Sequence, residues 1–432
     1  MYTHLTTIPL VGLDIGKNIH VLGSYRSDDL SALHPPLTLY NNRAGFEQAA
    51  GQIDQLLATY PRVVVGNEPT GIYYEAWGRE LLSRYTEALQ GGQLVYHLVN
   101  PHLVKLARVA LQDGRFHKSD AIDTQAIARC LQQGQGAPAH FPEGTGLLFA
   151  EWARRYRRLE RGRRVLGVEI LRQMDRLWPG AFVNLRRFKT AHPRLEPPVP
   201  LVATRPLERK LVQALLGHDP NPYTIRALGE EGIQTLLRQS MGRCGSVTAR
   251  RVLDNACQAL LPPPDVAVVY AEALQDDWQR YQTLLSQLAR LEAQAEAIVP
   301  NSPAAVLTTV PGISIFHAAR YLAAIQDAHR FPSADHIWAF AGFDPVRTQS
   351  GDSRRVGHIS KRGDPAFRNT LYLIGKHTAR HCPPIRRTFR QARQRFRDRT
   401  EVRAVLHAAR KANRLLYRLL IDQVPYDPAR HR

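Results

Sequence analysis

The stretch Val11-Gly12-Leu13-Asp14-Ile15-Gly16-Lys17 decides the fold of the first part of the chain. It completes a short, mostly apolar run over residues 8–15, which predicts a strand that carries a carboxylate near its end and is closed by a glycine. An acidic side chain at the end of a strand lies at the edge of a sheet, where groups from neighbouring elements can meet it.

The pattern around this strand predicts a mixed sheet with helices, which we assign to residues 1–146. Its elements, in order, are strands at 8–15, 20–25 and 37–40, a helix at 44–60, a strand at 62–65, a helix at 73–84, a strand at 94–99, a helix from 101, and a last helix from about 119 to 131. Three strands followed by alternating helix and strand is the order of a ribonuclease-H-like domain.

Beyond residue 146 the pattern changes to long helices. Apolar residues step by threes and fours along one of them: Leu274, Trp278, Tyr281, Leu285, Leu288, Leu291, Ala295 and Ile298. This seam predicts a coiled coil, inside one chain or between chains, and the alternative is an ordinary amphipathic helix packed on its own domain. We therefore predict a helical, dimerising region at 147–304 and a helical C-terminal domain at 305–432.

The charge of the chain indicates a polyanionic partner. Lys and Arg number 58 against 38 Asp and Glu, which gives a net charge of +20. A solubilising surface alone does not need so large an excess, so we expect nucleic acid. The four cysteines (Cys130, Cys244, Cys257 and Cys382) form no CxxC pair, which argues against a disulfide framework or a cysteine zinc site. No signal peptide or membrane-spanning run is evident, so we expect a cytoplasmic protein without a membrane partner.

Four carboxylates stand where the predicted topology brings elements together. Asp14 ends the first strand, Glu68 follows the fourth strand, and Asp120 and Asp123 begin a helix three residues apart. Hard oxygen ligands from strand ends and a helix are what Mg²⁺, or Mn²⁺, needs beside a phosphodiester.

Each carboxylate also has an ordinary interpretation. Asp120 and Asp123 suit the first turn of any helix, and Glu68 suits a turn. Asp14 would also fit the phosphate loop of an actin-like or sugar-kinase ATPase, although no second strand-ending Asp-x-Gly unit and no glycine-rich adenosine segment follow in the sequence.

The C-terminal domain carries two motifs suited to DNA. Pro311 and Gly312, within Leu307–Ser314, resemble the turn of a helix-hairpin-helix, which presents backbone N–H groups to a phosphate. The alternative is a plain connection between two helices. Further on, the basic end from residue 385 interleaves arginines with apolar residues, which is typical of a helix that contacts a nucleic-acid backbone.

A serine-glycine pair, Ser350-Gly351, is followed by Arg354 and Arg355 and then by Lys361 and Arg362. A hydroxyl beside a glycine and paired arginines suits a nucleophile that attacks phosphorus. The residues alone favour the other interpretation, a flexible basic loop that only grips phosphates.

These motifs, in this order, resemble a known family: the insertion-sequence transposases with a RuvC-like DEDD domain, also called bridge-RNA-guided recombinases. The matching pieces are Val11–Lys17, Glu68-Pro-Thr-Gly-Ile-Tyr-Tyr, Asn100-Pro101, Lys118-Ser-Asp120-Ala-Ile-Asp123, Val310-Pro-Gly-Ile, Phe340-Ala-Gly-Phe-Asp-Pro, Gln349-Ser350-Gly351 and Ile359-Ser-Lys-Arg-Gly363. They extend across nearly the whole chain.

The resemblance implies that the four carboxylates are the DEDD metal ligands and that Ser350 is the nucleophile joined to DNA during strand exchange. It further implies donor and target DNA, a structured guide RNA, a dimer or tetramer joined through the coiled coil, and a prokaryotic, nucleoid-associated location. Lys118 joins the expected nucleic-acid contacts by its place in the fourth motif. The sequence departs from the family at Asp352, and Ser353 and Ser360 stay open as alternative nucleophiles.

Two other functions compete with a recombinase that uses serine and a metal ion. One is a metal-dependent DNA nuclease of the junction-resolvase type, in which water attacks the phosphorus. The other is a non-catalytic nucleic-acid-binding protein built on a degenerate nuclease fold.

Overall fold

The computed structural model describes residues 7–112, 119–196, 199–350, 353–396 and 401–430, with backbone only for 345–350 and 353–358. The chain forms two compact units, Met1–Pro142 and Glu143–Arg432. The expected divisions after residues 146 and 304 stay predictions.

The N-terminal unit is built on a six-stranded mixed sheet. Its elements are β1 (Pro9–Ile15), β2 (Ile19–Arg26), β3 (Ala32–Tyr40), α1 (Arg43–Thr59), β4 (Val63–Asn67), α2 (Tyr74–Arg84), α3 (Thr86–Gln90), β5 (Leu94–Leu98), α4 (Pro101–Leu111), α5 (Asp120–Gln132) and β6 (Ala137–Pro138). The strand order is β3-β2-β1-β4-β5-β6. β1, β2 and β3 form an antiparallel meander, and β4 and β5 continue from β1 in parallel. This is the ribonuclease-H-like order that the sequence predicts.

Both faces of this sheet are covered. On β4, Val63 and Val65 pack in one core with α1 and α2, while Val64 packs toward the other core with α4 and α5. Alternate side chains of a strand point to opposite faces, so β4 needs its run of apolar residues.

Helix α5 is fixed to β1 by direct backbone approach. A Cβ atom at Gly12 would lie 2.1 Å from the carbonyl oxygen of Thr124, so the helix can rest here only on a glycine. The Tyr25 hydroxyl lies 2.8 Å from the Thr124 hydroxyl and thereby ties β2 to the same turn. This contact places the first turn of α5 over the middle of the sheet.

The C-terminal unit is helical with one hairpin. Its elements are α6 (Gly144–Leu177), α7 (Leu185–Ala191), α8 (Lys210–Gly217), α9 (Pro222–Met241), α10 (Ser246–Gln258), α11 (Pro264–Ile298), α12 (Ile315–Ile325), α13 (Ala334–Phe340), β7 (Pro345–Ser350), β8 (Ser353–Ile359), α14 (Pro365–His381), α15 (Pro383–Phe396) and α16 (Val402–Asp422). Short 3₁₀ segments connect several of these helices. The β7–β8 hairpin was not predicted from the sequence.

The two longest helices, α6 and α11, lie antiparallel against each other. The Trp152 indole N–H donates to the carbonyl of Leu291 at 2.7 Å near one end, and the Gln173 amide donates to Asp277 at 2.8 Å near the other. The apolar seam on α11 is buried in this packing. The structure therefore uses the seam inside one chain.

Two hydrophobic cores lie along this helix pair. One contains α8, α9 and α10 together with Trp178 and Leu274, which explains the structural role of the region around 180–265. The other contains α12, α14 and α16 together with Phe149 and Leu291. In the described part of the chain, no helix is both long and apolar enough to span a bilayer.

We expect Gly12→Ala to destabilise the N-terminal unit by about 3 kcal/mol, the upper end of the range for overpacking, because the new methyl group meets backbone that cannot move aside. Gly51→Ala, inside α1 with nothing within 4 Å of its added Cβ, is the matched control and should stabilise by about 0.5–1 kcal/mol. Thermal and urea unfolding of the full chain measure both, and equal stability of the two variants would contradict this account.

Candidate functional site

The parallel pairing of β1 with β4 brings two of the predicted acids to the same sheet edge. Leu13 is in register with Asn67, so Asp14 and Glu68 follow at adjacent strand ends. Both side chains are half-buried, and Glu68 accepts a hydrogen bond from the Thr70 hydroxyl. The Asn67 side chain before it is fully buried, and its oxygen accepts from the Tyr96 hydroxyl at 2.6 Å, which holds this strand end in place.

The other two acids differ in their surroundings. Asp120 begins α5 and is exposed, whereas the Asp123 side chain retains only 6% of its accessibility and pairs with Arg108 of α4. Thr124, the neighbour of Asp123, contacts Gly12, two residues before Asp14. The fold thus brings the first turn of α5 to the strand that carries Asp14.

The donor chemistry of this edge fits a hard divalent cation, because carboxylate oxygens are the ligands that Mg²⁺ and Mn²⁺ prefer. The Arg108 guanidinium already acts as a stand-in cation for Asp123. Within the described ranges, no group of three or more His, Cys, Asp or Glu side chains is arranged to hold a metal. The four-carboxylate metal site therefore stays a prediction, and in this structure Asp123 is paired with Arg108.

The Pro-Gly turn of the C-terminal unit differs from the expected hairpin in its first arm. Residues Pro303–Thr309 form a 3₁₀ helix, since the hydroxyls of Thr308 and Thr309 bond to carbonyls three residues earlier. Gly312 has φ +95°, and a Cβ there would lie 2.8 Å from the carbonyl oxygen of His377 on α14. A glycine is required at this position, and whether the turn contacts phosphate stays a prediction.

Helix α12 starts with a capping box between Ser314 and His317. The Ser314 oxygen accepts from the His317 backbone N–H at 3.2 Å and lies 3.0 Å from Nδ1 of its ring. Burial, and to a lesser degree the neighbouring His377 and Arg320, lowers the pKa of His317 to about 4. The Ser-x-x-His spacing was the available signal for this cluster.

The predicted serine stands at the end of a hairpin. Ser350 is the last residue of β7 and is in register with Ser353, the first residue of β8. Gly351 and Lys118 lie outside the described residues, as do the side chains of Ser350, Arg354 and Arg355.

The loop after the hairpin is held by backbone contacts. The Ser360 hydroxyl donates to Asp344 at 2.7 Å, and the Lys361 N–H donates to the Gly342 carbonyl at 3.0 Å. Lys361 adopts a left-handed backbone (φ +57°), yet its side chain and that of Arg362 are exposed. The loop therefore carries two exposed cationic side chains on a backbone that hydrogen bonds hold in place.

Comparison with known proteins shows what this C-terminal segment is similar to. Residues 304–391, which include the Pro-Gly turn, the hairpin and α14, match the model of the IS116/IS110/IS902 transposase family. The chain is 28% identical over 243 residues to an uncharacterised 43.6 kDa protein of insertion element IS110 from Streptomyces coelicolor, covering 55% of this chain and 57% of that relative. It is also 28% identical over 242 residues to a probable family 20 transposase from Pseudomonas aeruginosa, covering 54% of this chain and 70% of the relative.

The chain is thus similar to proteins of insertion elements, and the transposase family model matches residues 304–391 alone. The alignment spans little more than half the length of the first relative. Among solved structures, T. thermophilus RuvC in complex with a Holliday junction substrate is 15% identical, with a TM-score of 0.24, over 31% of this chain and 99% of that one. The assignment of the N-terminal fold rests on its strand order.

We expect Arg108→Ala to destabilise the N-terminal unit by about 3 kcal/mol, because it removes a positively charged partner of the buried Asp123 carboxylate. Adding Asp123→Asn to this variant should recover most of the loss. The control is Arg43→Ala, whose ion pairs with Glu47 and Glu80 are exposed and contribute less than about 1 kcal/mol. Urea unfolding measures all three, and additive losses in the double variant would contradict the pairing.

Because His317 is buried and its pKa is lowered, we expect the stability of the C-terminal unit to fall in acid. Its pKa rises from about 4 in the folded state to 6.5 when unfolded, so the unfolded chain binds the extra proton and stability falls as pH drops from about 6.5 to 4. The loss attributable to His317 reaches up to about 3 kcal/mol. His317→Gln, which preserves a capping box, should lose less stability between pH 7 and pH 5 than the wild type, whereas the exposed-site control His336→Gln should follow the wild type. Parallel Tm curves for all three would contradict the assignment.

Proposed function

We propose that this chain is a DNA transposase that cuts and rejoins an insertion sequence, with Ser350 as nucleophile and a divalent metal ion held by Asp14, Glu68, Asp120 and Asp123. The family match over residues 304–391 is the observation that carries this proposal, because it includes the hairpin whose first strand ends at Ser350. The supporting observation in the N-terminal unit is the register that sets Asp14 beside the strand end at Glu68.

The chemistry assigned to the serine is a transesterification. The Ser350 oxygen bonds to phosphorus, the phosphorus–oxygen bond to the DNA strand breaks, and the departing strand end takes up a proton. The hydroxyl of another strand then attacks the phosphoserine and releases the serine. A bound Mg²⁺ or Mn²⁺ supplies charge neutralisation at the phosphate oxygens.

The basic surfaces of the C-terminal unit support DNA as the substrate. The exposed cations Lys361 and Arg362 lie next to the hairpin. A groove between α15 and α16, about 590 Å³ in volume, is lined by Arg410, Lys411 and Arg414. Cations spaced along a groove suit a phosphate backbone, whose binding weakens steeply with salt.

A structured guide RNA and assembly into a dimer or tetramer enter this proposal through the family resemblance. If the chain dimerises, surfaces other than the α6–α11 seam must contribute, because that seam is buried within one chain. The expected place of action is the prokaryotic nucleoid.

The alternative functions predict different products. A nuclease that uses water releases cut DNA without a protein adduct, whereas a non-catalytic binder leaves DNA intact. The serine mechanism leaves a protein–DNA adduct that survives denaturation.

The deciding experiment incubates the full chain with supercoiled donor and target DNA, its guide RNA and Mg²⁺, and measures both recombinants and denaturation-resistant adduct. We expect Ser350→Ala to reduce both below about one-thousandth of wild type, because no other group replaces the nucleophile. The controls Ser353→Ala and Ser360→Ala should retain the adduct. Undiminished recombination by Ser350→Ala excludes this serine, and full cutting without adduct supports the nuclease. Intact DNA binding with loss of all cutting in Asp14→Asn excludes the non-catalytic binder.

A further inference from the structure

A small cavity in the C-terminal unit has an unusual concentration of positive charge. It measures about 170 Å³ and lies between α6, α12 and α14. Three arginines line it, Arg154 and Arg157 from α6 and Arg320 from α12, against one acid, Asp364. The lining residues therefore carry a net charge of +2.

Arg320 is the arginine of this cavity that forms no salt bridge among the described residues, although the carboxylates of Glu160 and Asp364 act on its charge. Its guanidinium lies against the Phe316 ring, 5.4 Å from the centroid, and the Tyr156 ring packs on the same Phe316 at 4.7 Å. In the part of the chain that the structure describes, no hydrogen-bond acceptor or carboxylate pairs with this guanidinium. Burial lowers the pKa of Arg320, which shows that its charge is partly withdrawn from water.

The other charged residues of the cavity are already engaged. Arg157 pairs with Asp364 at 2.7 Å, and Asp364 also caps α14 by accepting from the Ala366 N–H at 2.8 Å. Arg154 pairs with Glu151 at 2.7 Å. An arginine has five N–H donors in a planar fork, so the pair with Asp364 leaves further donors on Arg157.

The position of the cavity relates it to the serine hairpin. Asp364 directly follows the loop 360–363, whose backbone is held against Gly342. A ligand in the cavity would therefore lie beside Asp364, the residue that directly follows the loop with Lys361 and Arg362.

We propose that this cavity binds a single phosphate group of a nucleic-acid backbone, with Arg320 as its principal ligand. A partly buried guanidinium whose N–H groups have no hydrogen-bonded partner among the described residues is costly, and a phosphate supplies both charge and the paired oxygens that guanidinium geometry matches. The proposal deepens the proposed function, since it names a contact through which the C-terminal unit holds DNA or RNA.

The test compares Arg320→Gln with wild type in binding a fluorescein-labelled 30-base-pair DNA duplex and an RNA duplex of the same length across a salt series. We expect at least fivefold weaker binding of the duplex that uses the cavity, and a log Kobs against log salt slope that is shallower by about 0.9, the effect of losing one phosphate contact. The relative loss with the two duplexes tells whether DNA or RNA supplies the phosphate. The matched control is Arg280→Gln on α11, an exposed arginine paired with Asp277.

A second variant keeps the test decisive if Arg320→Gln fails to fold. Ala366→Leu fills the cavity from α14 and leaves every arginine in place, so it should weaken binding to a similar degree. Inorganic phosphate should raise the Tm of wild type more than chloride at equal ionic strength, and this difference should vanish in the variants. Binding by Ala366→Leu equal to that of the control overturns the proposal. Because no measurement involves strand exchange, failure of the Ser350 chemistry would leave this result unaffected.

Discussion

The close approach of Thr124 to Gly12 is the constraint on which the N-terminal unit depends. Because the backbone of α5 touches β1 directly, the first turn of the helix reaches the strand that carries Asp14. The same contact brings Asp123 within reach of Arg108 from α4. The absence of a side chain at Gly12 therefore determines both how α5 packs on the sheet and which charged groups surround the acidic edge of the sheet.

In the C-terminal unit, the antiparallel helix pair α6 and α11 is the element on which the rest of the packing depends. Its helices contribute to both hydrophobic cores, so the segment that matches the transposase family model packs against the same helix pair as the helices around 180–265. The matched segment adds a hairpin with Ser350 at the end of its first strand and a fixed cationic loop, and together with α6 it forms the arginine-lined cavity. The residues for which we propose a function thus lie on short connections and on the helices that hold them.

The sequence predicts the sheet well because strand patterning and turn residues act locally, and β1 lies within one residue of its expected bounds. It does not predict the pairing of Asp123 with Arg108, which depends on how α4 and α5 pack. The β7–β8 hairpin was missed because arginine, serine and glycine interrupt its alternation of apolar residues. No residue spacing in the sequence predicts the cavity around Arg320, because three helices that are far apart in the chain form it.

The antiparallel helix pair has a mechanical consequence. Helices of 34 and 35 residues are each about 50 Å long, and their shared packing makes them resist bending as a two-bar strut. A displacement imposed on the core around Trp178 at one end is transmitted along the strut to the core around Phe149 at the other. A force that a neighbouring molecule applies at one end of the helix pair would therefore move the other end as well, because the helices between them resist bending.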